Sequence, residues 1–134
     1  MLTRICTSCG RRVIQGKMCV CQRARHGEYD RTRRDKVKAA LYSSADWKRL
    51  ASFARQRAGY KDEYLAMYQG RLEPGSVIHH IRPLEDDMGA AYDAENLVCV
   101  SQRTHRMIHD AYSESVERKR EMQKLLLAIR GGGG

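Results

Sequence analysis

Four of the five histidines in this chain lie within a segment of 31 residues. His79 and His80 are adjacent, whereas His105 and His109 are four residues apart. Residues four apart on a helix lie on one face about a turn apart, so both imidazoles can reach one metal ion. Such a pair is weak support by itself, but with a third imidazole it predicts a three-histidine site with an open coordination position.

These residue types suit metal-assisted phosphodiester hydrolysis. Strand neighbours point to opposite faces, so His79 and His80 can serve one site only if the strand twists or ends there, and Pro83 favours an ending. One of the two would then join the metal site, and the other would stay metal-free and act as a base. A neutral imidazole, with a pKa of about 6.5, can take a proton from water at neutral pH, while a metal ion polarises the phosphate. Asn96 is placed to hold the base ring in its orientation and tautomer. The isolated His26 is expected to be solvated.

A second cluster of metal-binding residue types lies near the N-terminus. Its pattern is Cys-x2-Cys, a gap of nine residues, and Cys-x-Cys, formed by Cys6, Cys9, Cys19 and Cys21. Disulfides are rare in a reducing cytoplasm, so four thiolates at this spacing predict one structural zinc ion with no open position for chemistry. The alternative is four unconnected thiols.

The charge of the chain is unevenly distributed. Residues 1–61 carry 16 Lys/Arg and 4 Asp/Glu, whereas residues 62–134 carry 9 and 12. This asymmetry favours a nucleic-acid partner, although a solvated basic face is the alternative. The candidate DNA-binding residues are Arg31, Arg33, Arg34, Arg82, Arg103 and Arg106, each of which could instead be an ordinary surface arginine.

Apolar runs are too short for a membrane protein. The longest uninterrupted run spans five residues, Leu125 to Ile129, which excludes a transmembrane helix. The N-terminus has no apolar stretch of the kind found in signal peptides. We therefore expect a cytoplasmic protein.

The elements that position these residues are mostly helices. We predict a zinc knuckle over 1–21, a basic connector over 22–35 and a helix from about Asp30 to Tyr42. Ser43 is predicted to cap the next helix, which Gly59 closes.

The second half is predicted to contain a strand pair and a long helix. A short helix over 61–69 precedes strands over 77–81 and 97–100, which flank a polar loop over 85–95. One long helix is then expected from Ser101 to about Arg130, with an apolar stripe formed by Met122, Leu125, Leu126 and Ile129. The glycines at 131–134 are expected to be disordered.

At these residues the sequence resembles a known family. The matching segments are Val77-Ile-His-His-Ile-Arg-Pro83, Glu95-Asn-Leu97 and His105-Arg-Met-Ile-His109. They are similar to the motif of the HNH endonucleases, whose core is the ββα-metal (His-Me finger) fold. The upstream stretch Tyr42-Ser-Ser-Ala-Asp-Trp-Lys48 resembles phage-encoded members more specifically.

The resemblance implies an assignment for each motif residue. His79, His105 and His109 would hold one divalent ion (magnesium, manganese, nickel or zinc). His80 would be the general base, and Asn96 the central motif asparagine. The implied reaction is hydrolysis of double-stranded DNA to 3′-hydroxyl and 5′-phosphate ends. The fold class is then α+β and mostly helical, with the nuclease domain over 43–130 and its motif core over 77–110.

One feature departs from the family pattern. Many members bind a structural zinc through two Cys-x2-Cys pairs, but the corresponding positions here are Glu63, Ala66, Ser101 and Thr104. The lone Cys99 is expected in the core. We hypothesise that the C-terminal helix, or a partner protein, replaces the missing zinc.

The resemblance also suggests partners. Phage members of this kind point to the terminase large subunit and the portal, and so to assistance in genome packaging. The alternative function is a non-catalytic, zinc-stabilised DNA-binding or packaging accessory protein. A fourth protein ligand at the histidine site, from Asp86, Asp87 or Asp110, would favour that alternative.

Overall fold

The fold divides into two units. The computed structural model describes residues 2–131, except the side chains of Arg23, His26 and Asp30. The expectations for His26 and for the residues after Gly131 therefore lie outside the described residues. An N-terminal unit spans Met1–Tyr42 and a C-terminal unit spans Ser43–Gly134.

The N-terminal unit consists of a small hairpin and a long helix. Strand β1 (Thr3–Ile5) pairs antiparallel with β2 (Arg12–Ile14), and helix α1 spans Val20–Ser43. The predicted connector over 22–35 is therefore wrong, because α1 begins ten residues earlier than expected. This stretch has no apolar periodicity to reveal a helix, yet five of its 14 residues are Arg, which favours helices. Within residues 2–131, no helix has the length and apolar character that a membrane span requires.

Two helices open the C-terminal unit. Helix α2 covers Ala45–Arg57, and its N-cap is Ser44, whose hydroxyl accepts a hydrogen bond from the Trp47 amide at 3.1 Å. The prediction of Ser43 as the cap is wrong by one residue, because Ser44 has the extended backbone (ψ 149°) that turns its hydroxyl toward the first helical turn. Helix α3 covers Glu63–Gln69 and begins after the N-cap Asp62.

A strand pair followed by a helix comes next. Strand β3 (Val77–His80) pairs antiparallel with β4 (Leu97–Val100), and helix α4 (Gln102–Glu114) follows directly. Helix α5 (Val116–Gly131) ends the described chain. The prediction of one uninterrupted helix is wrong at Ser115. That residue is extended, with φ −164° and ψ 164°, and its hydroxyl accepts from the Arg118 amide in the first turn of α5.

The strand pair, α4 and α5 enclose the core of the C-terminal unit. The buried cluster comprises Ile81, Val98, Val100, Ile108, Ala111, Met122 and Leu126. From the predicted apolar stripe, Met122 and Leu126 are buried, Ile129 packs against the cluster, and Leu125 is 37% exposed. The predicted fold class is confirmed: a mostly helical α+β chain with a ββα core, an N-terminal cysteine cluster and a long C-terminal helix.

Polar side chains link four elements at one corner of the C-terminal unit. The Asp62 carboxylate accepts from the amides of Leu65 and Ser101, at 2.9 and 2.8 Å. Glu63 accepts from the Cys99 amide at 2.9 Å and pairs with Arg130 of α5. The corner thus joins α3, β4, α4 and α5 without thiolates, and Cys99 is fully buried as expected.

Candidate active site and structural metal site

Three imidazoles meet between β3 and α4. The ring centroid of His79 lies 5.3 Å from that of His105 and 6.0 Å from that of His109, and the two helical rings are 4.5 Å apart. One ligand nitrogen from each ring lies within 4.8 Å of the other two. The donor set fits a divalent transition metal ion, for which imidazole nitrogen is a common ligand.

The surroundings of this cluster favour neutral rings. Burial, followed by the positive charge that His105, His109 and His80 would carry, lowers the pKa of His79 to about 3. Burial also lowers the pKa of His105, with a further contribution from His109. Metal binding requires a deprotonated imidazole nitrogen, so the lowered pKa values of His79 and His105 favour the form that a metal ligand needs.

His80 has a different environment from its neighbour, as alternation along β3 requires. Its Nε2 lies 3.0 Å from the Ala91 carbonyl oxygen, and its ring stacks on Trp47 with centroids 4.9 Å apart. A carbonyl only accepts, so Nε2 carries the proton and Nδ1 keeps the lone pair that can accept one. Burial lowers the pKa of His80, a shift that the Ala91 carbonyl opposes.

Asn96 lies in the loop beside this ring. Its side-chain oxygen accepts from the Arg82 amide at 2.8 Å, and its NH₂ group donates to the carbonyls of Arg82 and Ala90, each at 3.2 Å. Asn96 therefore bonds backbone groups rather than the imidazole itself. Its bond to the Ala90 carbonyl fixes the loop backbone next to Ala91, and the Ala91 carbonyl in turn holds His80.

Two residues at the site were missed in the sequence. Trp47 stacks on His80, and the hydroxyl oxygen of Tyr112 lies 3.3 Å from Nε2 of His79. Tyr112 follows His109 by three residues and His105 by seven, a helical spacing that places all three on one face. That spacing could have identified Tyr112. No local pattern links Trp47 to His80.

The candidate DNA-binding arginines are all accessible. Arg31, Arg33 and Arg34 are exposed on α1, and Arg103 and Arg106 are exposed on α4. Arg82 is 58% exposed and pairs with Asp87 at 3.3 Å.

The carboxylates considered as a fourth ligand lie outside the histidine group. Asp87 pairs with Arg82, and Asp86 pairs with Lys119. Among the described residues, the group that can hold an ion here consists of the three histidines, without Asp110.

The four N-terminal cysteines also meet. The Sγ atoms of Cys6 and Cys21 are 3.6 Å apart, those of Cys9 and Cys19 are 3.5 Å apart, and all four lie within 4.8 Å of one another. Backbone N–H groups of Cys9 and Ser8 lower the pKa of Cys6 to about 6. The set fits one tetrahedral metal ion held by thiolates.

Of three comparisons with known proteins, one found a match. No family model matches the chain, and no curated protein matches it. A crystal structure of the HNH endonuclease of the deep-sea thermophilic bacteriophage GVE2, with manganese ion, is similar to it with a TM-score of 0.57. The match covers 62% of this chain and 89% of that chain at 24% sequence identity.

This chain has the HNH endonuclease fold. The predicted resemblance is thereby confirmed at the level of the fold. In the HNH fold of this chain, β3, β4 and α4 form the ββα element, and the histidine cluster lies between β3 and α4.

Proposed function

We propose that this chain is a metal-dependent endonuclease that hydrolyses DNA phosphodiester bonds. One observation carries the proposal: three imidazoles converge, while the adjacent His80 is held by separate contacts. The HNH fold and the manganese in the neighbouring structure support it. Manganese, magnesium, nickel and zinc are the candidate ions.

His79, His105 and His109 would hold the ion. When bound, the ion supplies a Lewis acid that polarises the scissile phosphate and stabilises charge on the leaving oxygen. Among the described residues this group contains no carboxylate, so the three histidines would leave a coordination position for substrate.

His80 is the proposed general base. Its Nδ1 accepts a proton from the attacking water, while the Nε2–H bond to Ala91 and the stacking on Trp47 hold the ring. Asn96 acts as a positioning residue, because it fixes the loop backbone that bears the Ala91 carbonyl.

Exposed arginines are proposed to bind the DNA backbone. One group lies near the histidine cluster in sequence and consists of Arg82, Arg103 and Arg106. The other group belongs to the basic helix α1 and consists of Arg31, Arg33 and Arg34. Contacts with phosphates give affinity with little sequence preference. A zinc ion at the four cysteines would have only a structural role.

A nicking assay tests this function. Supercoiled plasmid is incubated with the full chain in magnesium, manganese or nickel, and we expect His80→Ala to slow nicking by about 10²–10⁴-fold. The thermal stability and the manganese affinity of His80→Ala are measured in parallel. If both match the parent, the loss of nicking reflects lost catalysis and not a folding defect. His26→Ala serves as the histidine control. Nicking by His80→Ala at the parent rate would show that the base is wrongly assigned.

The alternative, a non-catalytic DNA-binding or packaging accessory protein, predicts DNA binding without nicking in any of these metals. A finer hypothesis is that the protein is phage-encoded, acts in the host cytoplasm and assists terminase in packaging. Its support is the resemblance of the upstream sequence to phage members. Pull-down with purified terminase large subunit and portal tests it, and failure to bind either would count against it.

A further inference from the structure

A tyrosine hydroxyl lies against the most buried metal-site histidine. Tyr112 Oη is 3.3 Å from Nε2 of His79 and 2.6 Å from the carbonyl oxygen of Ile81. The tyrosine ring meets the imidazole edge-on, with centroids 5.4 Å apart. His79 is only 5% exposed, so protein groups such as the Tyr112 hydroxyl determine its hydrogen bonding more than water does.

The direction of each hydrogen bond follows from the chemistry of the groups. A carbonyl oxygen only accepts, so the single hydroxyl proton of Tyr112 goes to Ile81. Tyr112 Oη can then act toward His79 only as an acceptor. Nε2 of His79 must therefore carry the ring proton, which leaves the lone pair of the neutral ring on Nδ1.

We infer that Tyr112 is a positioning residue that fixes the tautomer of His79, so that Nδ1 would be the nitrogen available to bind a metal ion. The inference rests on the proposed function, since it assigns a task to a residue at the same site. Such outer partners commonly orient a ligating histidine and raise its basicity.

Side chains from α5 hold Tyr112 in this position. The Gln123 side chain donates to the same Ile81 carbonyl at 3.1 Å, so that acceptor is fixed from two directions. The Lys119 ammonium group lies 5.7 Å from the centroid of the Tyr112 ring and pairs with Asp86. Helix α5 thus supports the metal site although it supplies none of the three histidines.

Two measurements on the full chain test the inference. Long-range ¹H–¹⁵N spectra of the metal-free histidine site show which ring nitrogen of His79 bears the proton. Manganese(II) binding, followed through the EPR signal of the free ion, reports on the histidine site because this ion prefers oxygen and nitrogen ligands to thiolates. We expect the Nε2–H tautomer in the parent, and an affinity about 10–100-fold lower in Tyr112→Phe.

The matched control is Tyr68→Phe. It removes a tyrosine hydroxyl that donates to a backbone carbonyl, that of Leu125, instead of contacting a histidine. This variant should keep the parent tautomer and the parent manganese affinity. A proton on Nδ1 of His79 in the parent would overturn the inference, and so would an unchanged affinity in Tyr112→Phe. If Tyr112→Phe does not fold, the spectrum of the parent decides.

The failure of this inference differs from the failure of the proposed function. A parent that shows the expected tautomer and binds manganese but never nicks DNA would refute the endonuclease and leave the role of Tyr112 standing. A parent that nicks DNA, with Tyr112→Phe binding manganese equally well, would refute the role of Tyr112 alone.

Discussion

Of the residues that the structure describes in the N-terminal unit, only Cys6 and Cys19 are buried, whereas the C-terminal unit buries seven residues in one core cluster. Both buried residues of the N-terminal unit belong to the cysteine cluster. A unit without an apolar core gains little stability from burial. We therefore expect its hairpin and the start of α1 to depend on a metal ion bound by the four cysteines.

The C-terminal unit shows the opposite solution. Asp62, Glu63 and Arg130 link α3, β4, α4 and α5 at one corner, and the apolar face of α5 closes the core. We hypothesise that this packing on several sides takes the place of the structural zinc that the sequence resemblance implies. A two-stranded hairpin offers no such packing.

Disrupting the cysteine cluster has the largest expected effect. A structural zinc site contributes about 10–16 kcal/mol to folding, so Cys6→Ser should remove the zinc and unfold the N-terminal unit. Metal analysis and amide hydrogen exchange over residues 2–42 measure this loss. Trp47 fluorescence should show the C-terminal unit intact. The control Cys99→Ala should keep its zinc, and protected amides in zinc-free Cys6→Ser would contradict the prediction.

Breaking the buried ion pair should destabilise the C-terminal unit alone. The Glu63 and Arg130 side chains are 12% and 9% exposed, so Glu63→Gln leaves a buried charge and should cost about 3–5 kcal/mol. Urea unfolding followed by Trp47 fluorescence measures the change. Arg118→Gln, which removes a pair whose arginine is 49% exposed, should cost about 1 kcal/mol or less. Equal costs for the two variants would show that the corner does not depend on this pair.

Truncating the apolar face of α5 should have a slightly smaller effect. Leu126 is fully buried, so Leu126→Ala should cost about 2–5 kcal/mol through lost burial and the resulting cavity. Leu125→Ala, at a residue that is 37% exposed, should cost about 1 kcal/mol. The same urea titration compares them, and the reverse order would mean that α5 presents another face to the core.

Short-range patterns in the sequence predicted the features that follow from the regular geometry of helices and strands. His105 and His109 share a face because a helix repeats every 3.6 residues, and their rings are 4.5 Å apart. The strands of the ββα core were predicted from short apolar runs between turn residues. The ends of the helices were harder to predict, because the backbone angles of single residues determine them. Ser44 determines where α2 begins, and Ser115 determines where α4 ends.

Contacts between distant segments could not be predicted. The pair of Glu63 with Arg130 joins residues 67 apart in the sequence, and Trp47 stacks on a histidine 33 positions later. Such contacts depend on how the elements pack, about which local periodicity carries no information. The mechanistic details of the site, including the tautomers of His79 and His80, depend on contacts of this kind.

The smallest expected effect concerns function, because the arginines of α1 are proposed to add DNA affinity. Each phosphate contact makes the fall of log K with log salt steeper by about 0.9, so Arg33→Gln should make that slope shallower by about 1 and weaken binding about fourfold at ~0.2 M salt. Fluorescence anisotropy with a DNA duplex over a salt series measures both. Nicking at saturating DNA should keep the parent rate, because Arg33 lies on α1, outside the unit that holds the histidines. Arg118→Gln is the control and should leave the slope unchanged, since its guanidinium is paired with Glu114 and Glu121. A slope that Arg33→Gln does not alter would remove α1 from the DNA-binding surface.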